Sequence, residues 1–237
     1  MEIAISNGYA LRCDRFSSNS INAKAIALLI MVSILPARDI SLEQLQDNFG
    51  LQLTTDPHFF PEWQENLPRL SQEEKQTLNR IKSNYFNLSS RHSLLEEAVK
   101  MVVLSFLLDL AGFYQHPFDL KTESSIEISG EDEGIIVRGK IDVLVVKNHL
   151  WVLVIESKST KFDVMEALPQ ALVYLLNSPN TDQPTFGFLV NGREFVFVKL
   201  LHSKPPQYSR SYALSIERDN ELEQVLAALK RIGSLIA

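Results

Sequence analysis

Three observations predict that this 237-residue chain is an α/β protein, with helices packed around a central sheet. Two apolar runs of strand length flank a polar step at Lys147-Asn148-His149, within IDVLVVKNHLWVLVIESK from Ile141 to Lys158. A second pair, TFGFLV and REFVFVKL, flanks Asn191-Gly192, a strong short hairpin signal. Around these hairpins lie segments with a helical apolar period, at about 93–112, 163–177 and 219–233. Strand runs that are apolar throughout predict burial on both faces, hence a layer of helices on each side of the sheet.

Taken in order, residues 1–20 are polar, with Ser-Ser-Asn-Ser at 17–20, and read as an irregular lead-in. The apolar run over 21–35 predicts a helix opened by Asn19 or Ser20 and stopped by Pro36. Asp39 or Ser41 opens another short helix that ends near Gly50. Three prolines with Phe59, Phe60 and Trp63 mark a loop pinned by aromatics between Asp56 and Pro68. Ser71 and Glu74 have capping-box spacing at the head of a helix over about 71–86. Residues 1–88 thus form a helical N-terminal extension suited to packing, homodimerisation or partner contact, and 89–237 form the α/β domain.

That domain opens on a helix with Ser93 and Glu96 at capping-box spacing. Its stripe runs through Ala98, Val99, Val102, Val103, Phe106, Leu107 and Leu110 to a stop at Gly112. A strand over 122–129, an acidic turn at 130–134 and Ile135–Arg138 lead through Gly139, a bend, into the central hairpin. The interior Pro169 implies a kink or a restart in the helix over 163–177. A strand near 210–216 and a last helix close the chain.

Composition narrows the function. The single cysteine, Cys13, excludes an internal disulfide framework and a Cys-rich zinc site, and fits a reducing cytoplasm. The longest apolar run, Ala25–Pro36, is too short for a bilayer, which takes roughly 20 residues. It also starts too deep for a secretory signal, so no membrane association is expected. Net charge is −6, but its distribution is uneven. Residues 91–156 carry six basic and eleven acidic side chains, a balance of −5; residues 157–210 carry six basic and four acidic, a balance of +2. An acidic pocket beside a mildly basic rim permits a metal-dependent phosphodiesterase, and so does an ordinary solvated surface.

Three charges interrupt the buried hairpin: Asp142, Glu156 and Lys158. With the turn centred near residue 149, Asp142 and Glu156 are each seven residues away and face one another across the strands. Glu156 and Lys158 share a face because side chains alternate along a strand. Like charges set together in a dry environment need a cation, a proton or an ammonium between them. Two carboxylates and the backbone carbonyl of Ser157 suit Mg²⁺, with Mn²⁺ as a substitute, and leave places for water and phosphate oxygens. Lys158 is then positioned to orient a water or steady developing charge. Glu97, an acid with no capping duty at the head of a core helix, is a candidate third carboxylate or simply a solvated residue. Gln170 and Tyr174, four apart, lie on one face of the following helix.

At these residues the chain resembles the PD-(D/E)XK nuclease superfamily, although Ile141 stands where the proline of that name would be. GKIDVLVVKNHLWVLVIESK, the Gln170-x-x-x-Tyr174 helix and the NGREFVFVKL hairpin are similar to the nuclease domain at the N-terminus of type I restriction-enzyme R subunits, over about 93–216. The resemblance implies a restriction-endonuclease-like three-layer α/β/α sandwich with a mixed central sheet. It also implies metal ligation by Asp142 and Glu156, catalysis by Lys158, an assisting acid at Glu97, and DNA or site support from Gln170 and Tyr174. The expected activity is Mg²⁺-dependent hydrolysis of DNA in a restriction-modification setting. The alternative is a catalytically silent module binding nucleic acid or a protein partner. No G-x-x-x-x-G-K-[ST] occurs, so neither ATP binding nor the motor of a full R subunit is expected.

Overall fold

The computed structural model describes residues 9–10, 32–129, 135–180 and 182–235. The chain runs from β1 (Tyr9–Ala10) to β2 (Val32–Pro36), α1 (Leu42–Phe49), β3 (Gln52–Leu53) and α2 (Gln72–Ser89). Then come α3 (Glu96–Val99), a π-helical segment (Lys100–Leu104) and α4 (Ser105–Leu110), one continuous helical stretch. Three long strands follow in β4 (Asp119–Ser129), β5 (Ile135–Lys147) and β6 (Leu150–Ser157). The chain continues through α5 (Leu168–Leu176), β7 (Thr185–Val190), β8 (Glu194–Leu201), β9 (Gln207–Arg210), β10 (Leu214–Ser215) and α6 (Glu221–Leu235).

Among the described residues, ten strands join one mixed sheet of order β1-β2-β5-β6-β7-β8-β9-β3, with β4 also on β5 and β10 also on β8. The β2–β5, β6–β7 and β3–β9 pairs are parallel and the others antiparallel. Successive strand residues feed opposite cores. Phe186, Phe188, Phe195 and Phe197 pack with α2, α4 and α6, while Leu189, Val196 and Val198 pack with α5. The fold is therefore helix layer, sheet, helix layer, as the apolar strands imply. None of the helices among the described residues is long and apolar enough to cross a membrane.

Several expected local signals form as read. Ser41 and Ser71 each complete a capping box, with Gln44 and Glu74, and Gly50 closes α1 at φ 63°. Phe60 and Trp63 are buried, so the proline-rich loop is pinned. Pro169 sits in the first turn of α5, after a 3₁₀ turn at Val164–Ala167, so the helix restarts there.

Two expectations fail. A helix is expected over 21–35; residues 21–31 lie outside the described ones, and Val32–Pro36 is a strand running parallel to β5. A short apolar run has no period to separate helix from buried strand, and pairing with β5 decides it. The second failure is the Ser93–Glu96 capping box: Leu95 is the N-cap of α3 and makes no side-chain cap bond. The π-helical segment buries Val103 and Leu104 and α4 buries Leu107 and Leu108, while Phe106, expected in the stripe, is exposed. One extra residue per turn rotates the stripe. The boundary expected at residue 88 falls in the last turn of α2, and strands from both sides of it pair in the same sheet.

Candidate active site

The site is built where β5 changes partners. One edge of β5 pairs with β4 along nearly its whole length. The other edge pairs with β2 from Ile135 to Arg138 and with β6 from Val143 to Lys147. Residues 139–142 lie between these two pairings, at a fork where β6 leaves β5 and continues against β7 through Glu156 and Ser157. Backbone groups in such a gap need other partners.

Tyr174 supplies one. From the core face of α5 its hydroxyl donates to the Lys140 carbonyl at 2.9 Å and accepts from Gln170 Nε2 at 2.7 Å. Burial, then the nearby Glu156 charge, hold this hydroxyl protonated by raising its pKa. The approach requires Gly139. A Cβ there would lie 2.7 Å from Ala37 Cβ and 2.8 Å from the Tyr174 hydroxyl. Gln170 Oε1 in turn accepts from Lys158 Nζ at 3.1 Å, and Lys158 Nζ donates to Glu156 Oε1 at 2.7 Å. Lys140, Tyr174, Gln170, Lys158 and Glu156 thus form one hydrogen-bonded chain.

Asp142 is held separately. Its Oδ2 accepts from the Ser157 amide at 2.8 Å and the Ser157 hydroxyl at 2.9 Å. Its Oδ1 accepts from Lys100 Nζ at 3.0 Å, and the same ammonium donates to Glu96 Oε1 at 2.7 Å. Burial opposes a charge on Lys100, but its bonds to Glu96 and Asp142 outweigh that and raise its pKa. The two acids therefore do not meet in one triangle with Lys158. Asp142 is tied towards α3 and Glu156 towards α5.

Register still sets them across the fork. Val143 pairs with Ile155, and one further step places Asp142 opposite Glu156. A bulge makes this so. The hairpin turns tightly at Asn148 and His149, both at positive φ, with Lys147 opposite Leu150. Val146 faces Trp151 but Val145 faces Leu153, so Val152 is the extra residue and Val152 and Leu153 both feed one core.

Glu156 is only 2 % exposed. Burial first, and the Asp142 charge second, push its carboxyl up to about 8 against the pull of Lys158. Its Oε2 is buried without a hydrogen-bond partner among the described residues. An orphaned carboxylate oxygen beside a second carboxylate is a hard-oxygen donor set that fits a divalent cation completed by waters and substrate oxygens. Asp142 and Glu156 would supply it; among the described residues no third acid, histidine or cysteine joins them to form a ready cluster.

Of the residues singled out from sequence, Asp142, Glu156, Ser157, Lys158, Gln170 and Tyr174 are brought together. Glu97 is not: it is exposed and lies outside these hydrogen bonds. Its neighbour Glu96, with no cap to form, reaches the site through Lys100. Sequence reading missed both, although their i,i+4 spacing on a helix signals an ion pair.

A mixed sheet covered by helices on both faces, with an acid on one strand and E-x-K on the next, defines a PD-(D/E)XK nuclease-like domain. The chain belongs to the family described as Type I restriction enzyme R protein N terminus, which it matches over residues 38–205. The match begins ahead of α1 and so takes in α1, β3 and α2. Among solved structures, it is similar to a fragment described as an HsdR subunit of a type I restriction enzyme from Vibrio vulnificus YJ016. That likeness has 16 % identity and a TM-score of 0.36, and covers 58 % of this chain and 26 % of the other. No curated protein matches the chain.

Proposed function

We propose that this domain hydrolyses phosphodiester bonds of DNA with a bound divalent cation, Mg²⁺ or in its place Mn²⁺. The observation that carries the reading is the partnerless buried oxygen of Glu156, set at the strand fork beside Asp142 and Lys158. A metal held there by Asp142 and Glu156, with the Ser157 carbonyl as a further donor, would acidify a bound water and stabilise charge at phosphorus. The protein's own contribution is positional. Ser157 clamps one oxygen of Asp142, fixing the carboxylate's orientation. Gln170, itself anchored by Tyr174, holds the Lys158 ammonium over Glu156, where it can orient a water or donate to a phosphate oxygen. Burial of Glu156 keeps bulk water from competing for these groups.

The test is incubation of the purified protein with Mg²⁺ and linear, nicked, supercoiled or single-stranded DNA. Wild type is expected to cut at least one form. Lys158→Ala and Glu156→Gln are expected to lower the rate by at least about a hundredfold, the scale of a lost general acid, base or electrostatic contact. Their circular-dichroism melts should stay cooperative. Failure of wild type to cut any form and to bind any divalent ion sinks the reading.

One observation favours a second reading, a catalytically silent module binding nucleic acid or a protein. The free oxygen of Asp142 is taken by Lys100. A site whose cation place is permanently filled by an ammonium would bind DNA without cutting it, which a binding assay in chelator separates from cleavage.

A further inference from the structure

The proposed chemistry does not use Lys100, although its ammonium is bound directly to Asp142. Its ammonium lies between two carboxylates, 2.7 Å from Glu96 Oε1 and 3.0 Å from Asp142 Oδ1. Both Asp142 oxygens are consequently engaged: Oδ2 by the amide and hydroxyl of Ser157, Oδ1 by Lys100. The Ser157 bonds are made within the sheet end, from a fully buried residue. The Lys100 bond is made by a long, flexible stem whose side chain is 25 % exposed. Lys100 is thus the movable partner and Ser157 the fixed one. Across the fork, Glu156 Oε1 is bound by Lys158 while its Oε2 is buried and unpartnered, so the open oxygen of the cluster is on Glu156 and both oxygens of Asp142 are occupied.

We propose that Lys100 is a built-in counter-cation. It holds the place on Asp142 in the metal-free protein and is displaced into solvent, still within reach of Glu96, when a divalent ion loads. This rests on the metal-dependent reading above and adds a resident competitor to it. An ammonium and a divalent ion repel when they share one carboxylate oxygen, so loading requires Asp142 to exchange partners. The competent state is only a fraction of the metal-free population, and apparent metal affinity falls by that fraction. Without metal, the Lys100 and Ser157 bonds together hold the Asp142 carboxylate in one orientation. Once displaced, the ammonium stands at the rim of the site, where a phosphate of the substrate can take it.

The experiment is calorimetric titration of Mn²⁺ into wild type, Lys100→Met and Lys100→Gln at one pH and ionic strength. Removing a unit positive charge from the Asp142 oxygen is expected to tighten Mn²⁺ binding by about tenfold or more. Lys100→Gln keeps two hydrogen-bonding groups without the charge, and reports should Lys100→Met fail to fold. In wild type, the Lys100 side-chain nitrogen resonance is expected to shift on saturation with diamagnetic Mg²⁺. Equal or weaker Mn²⁺ affinity in the folded variants, or an unmoved Lys100 resonance at saturation, overturns the proposal. Tighter metal binding by the variants without cleavage of any DNA upholds it while the nuclease reading falls. DNA cleavage by wild type with unchanged metal affinity in the variants does the reverse.

Discussion

Glu156 illustrates how a residue can be placed against its own interest. A carboxyl that is 2 % exposed, with a carboxylate neighbour, is expensive to ionise, and its pKa is driven up to about 8. The folded metal-free protein therefore keeps a proton that the unfolded chain releases above about 4.5. Between those limits the native state binds more protons than the unfolded state. Stability from this group is complete below about 4.5 and is lost as pH rises through about 8. Denaturant melts in chelator should show unfolding free energy falling across this window, with a slope approaching ~1.4 kcal/mol per pH unit. Glu156→Gln should flatten the slope; an unchanged slope would show that Glu156 is already ionised. Sequence made this residue legible because a charge in a run of Val, Ile and Leu has few structural uses. It gave Glu96 a cap and offered Glu97 to the site, whereas Glu96 is the acid bound to Lys100, because that choice depends on which way the helix faces the strands.

Elements contribute by what they leave unpaired. Strand β5 loses a partner along one edge at residues 139–142, and α5 brings Tyr174 into the opening to satisfy the Lys140 carbonyl. Gly139 permits that approach. Gly139→Ala should push Tyr174 away, because the new Cβ would sit 2.9 Å from its ring as well as 2.8 Å from its hydroxyl. A loss of ~1–3 kcal/mol is expected from overpacking, and, on the proposed nuclease function, a cleavage rate that falls because Gln170 and Lys158 lose their anchor. Thermal melts and cleavage assays read the two effects; full stability and activity in the variant would refute this account of the glycine. The hairpin turn, α1, α2 and the restart of α5 were each legible because a capping residue, glycine or proline acts within a few residues. Three features acted otherwise: the Val152 bulge, the π-helical segment after α3 and the strand at Val32–Pro36. The strand is decided by pairing with β5, about a hundred residues on, and the bulge and the π-helical segment carry no capping residue, glycine or proline to announce them.

At the scale of the molecule, the sheet is sandwiched between two cores, each covered by its own helices. Phe188 stacks with Phe195 at 6.0 Å and packs against Phe197 at 4.9 Å, all fully buried under α2, α4 and α6. Phe188→Ala should cost ~3–5 kcal/mol in a denaturant melt, the usual penalty for a large buried ring. Phe188 also lies opposite Ile155, next to Glu156, so its loss should loosen the end of β6 as well. A loss under about 1 kcal/mol would mean that the aromatic cluster closes over the gap.

The layered α/β class, the two hairpins and the meeting of Asp142, Glu156 and Lys158 follow from periodicity, turn chemistry or the cost of charge in an apolar strand, all of which act locally. Spacing sets Gln170 and Tyr174 on one helix face, and the family resemblance alone brought them to the site. Only the tertiary structure decided that strands from both sides of residue 88 share one sheet. It also decided that a one-residue bulge brings Asp142 opposite Glu156, and that Lys100 rather than Glu97 enters the site. Those outcomes depend on which backbone edges meet and which helix face turns inward, and no short stretch of the chain encodes either.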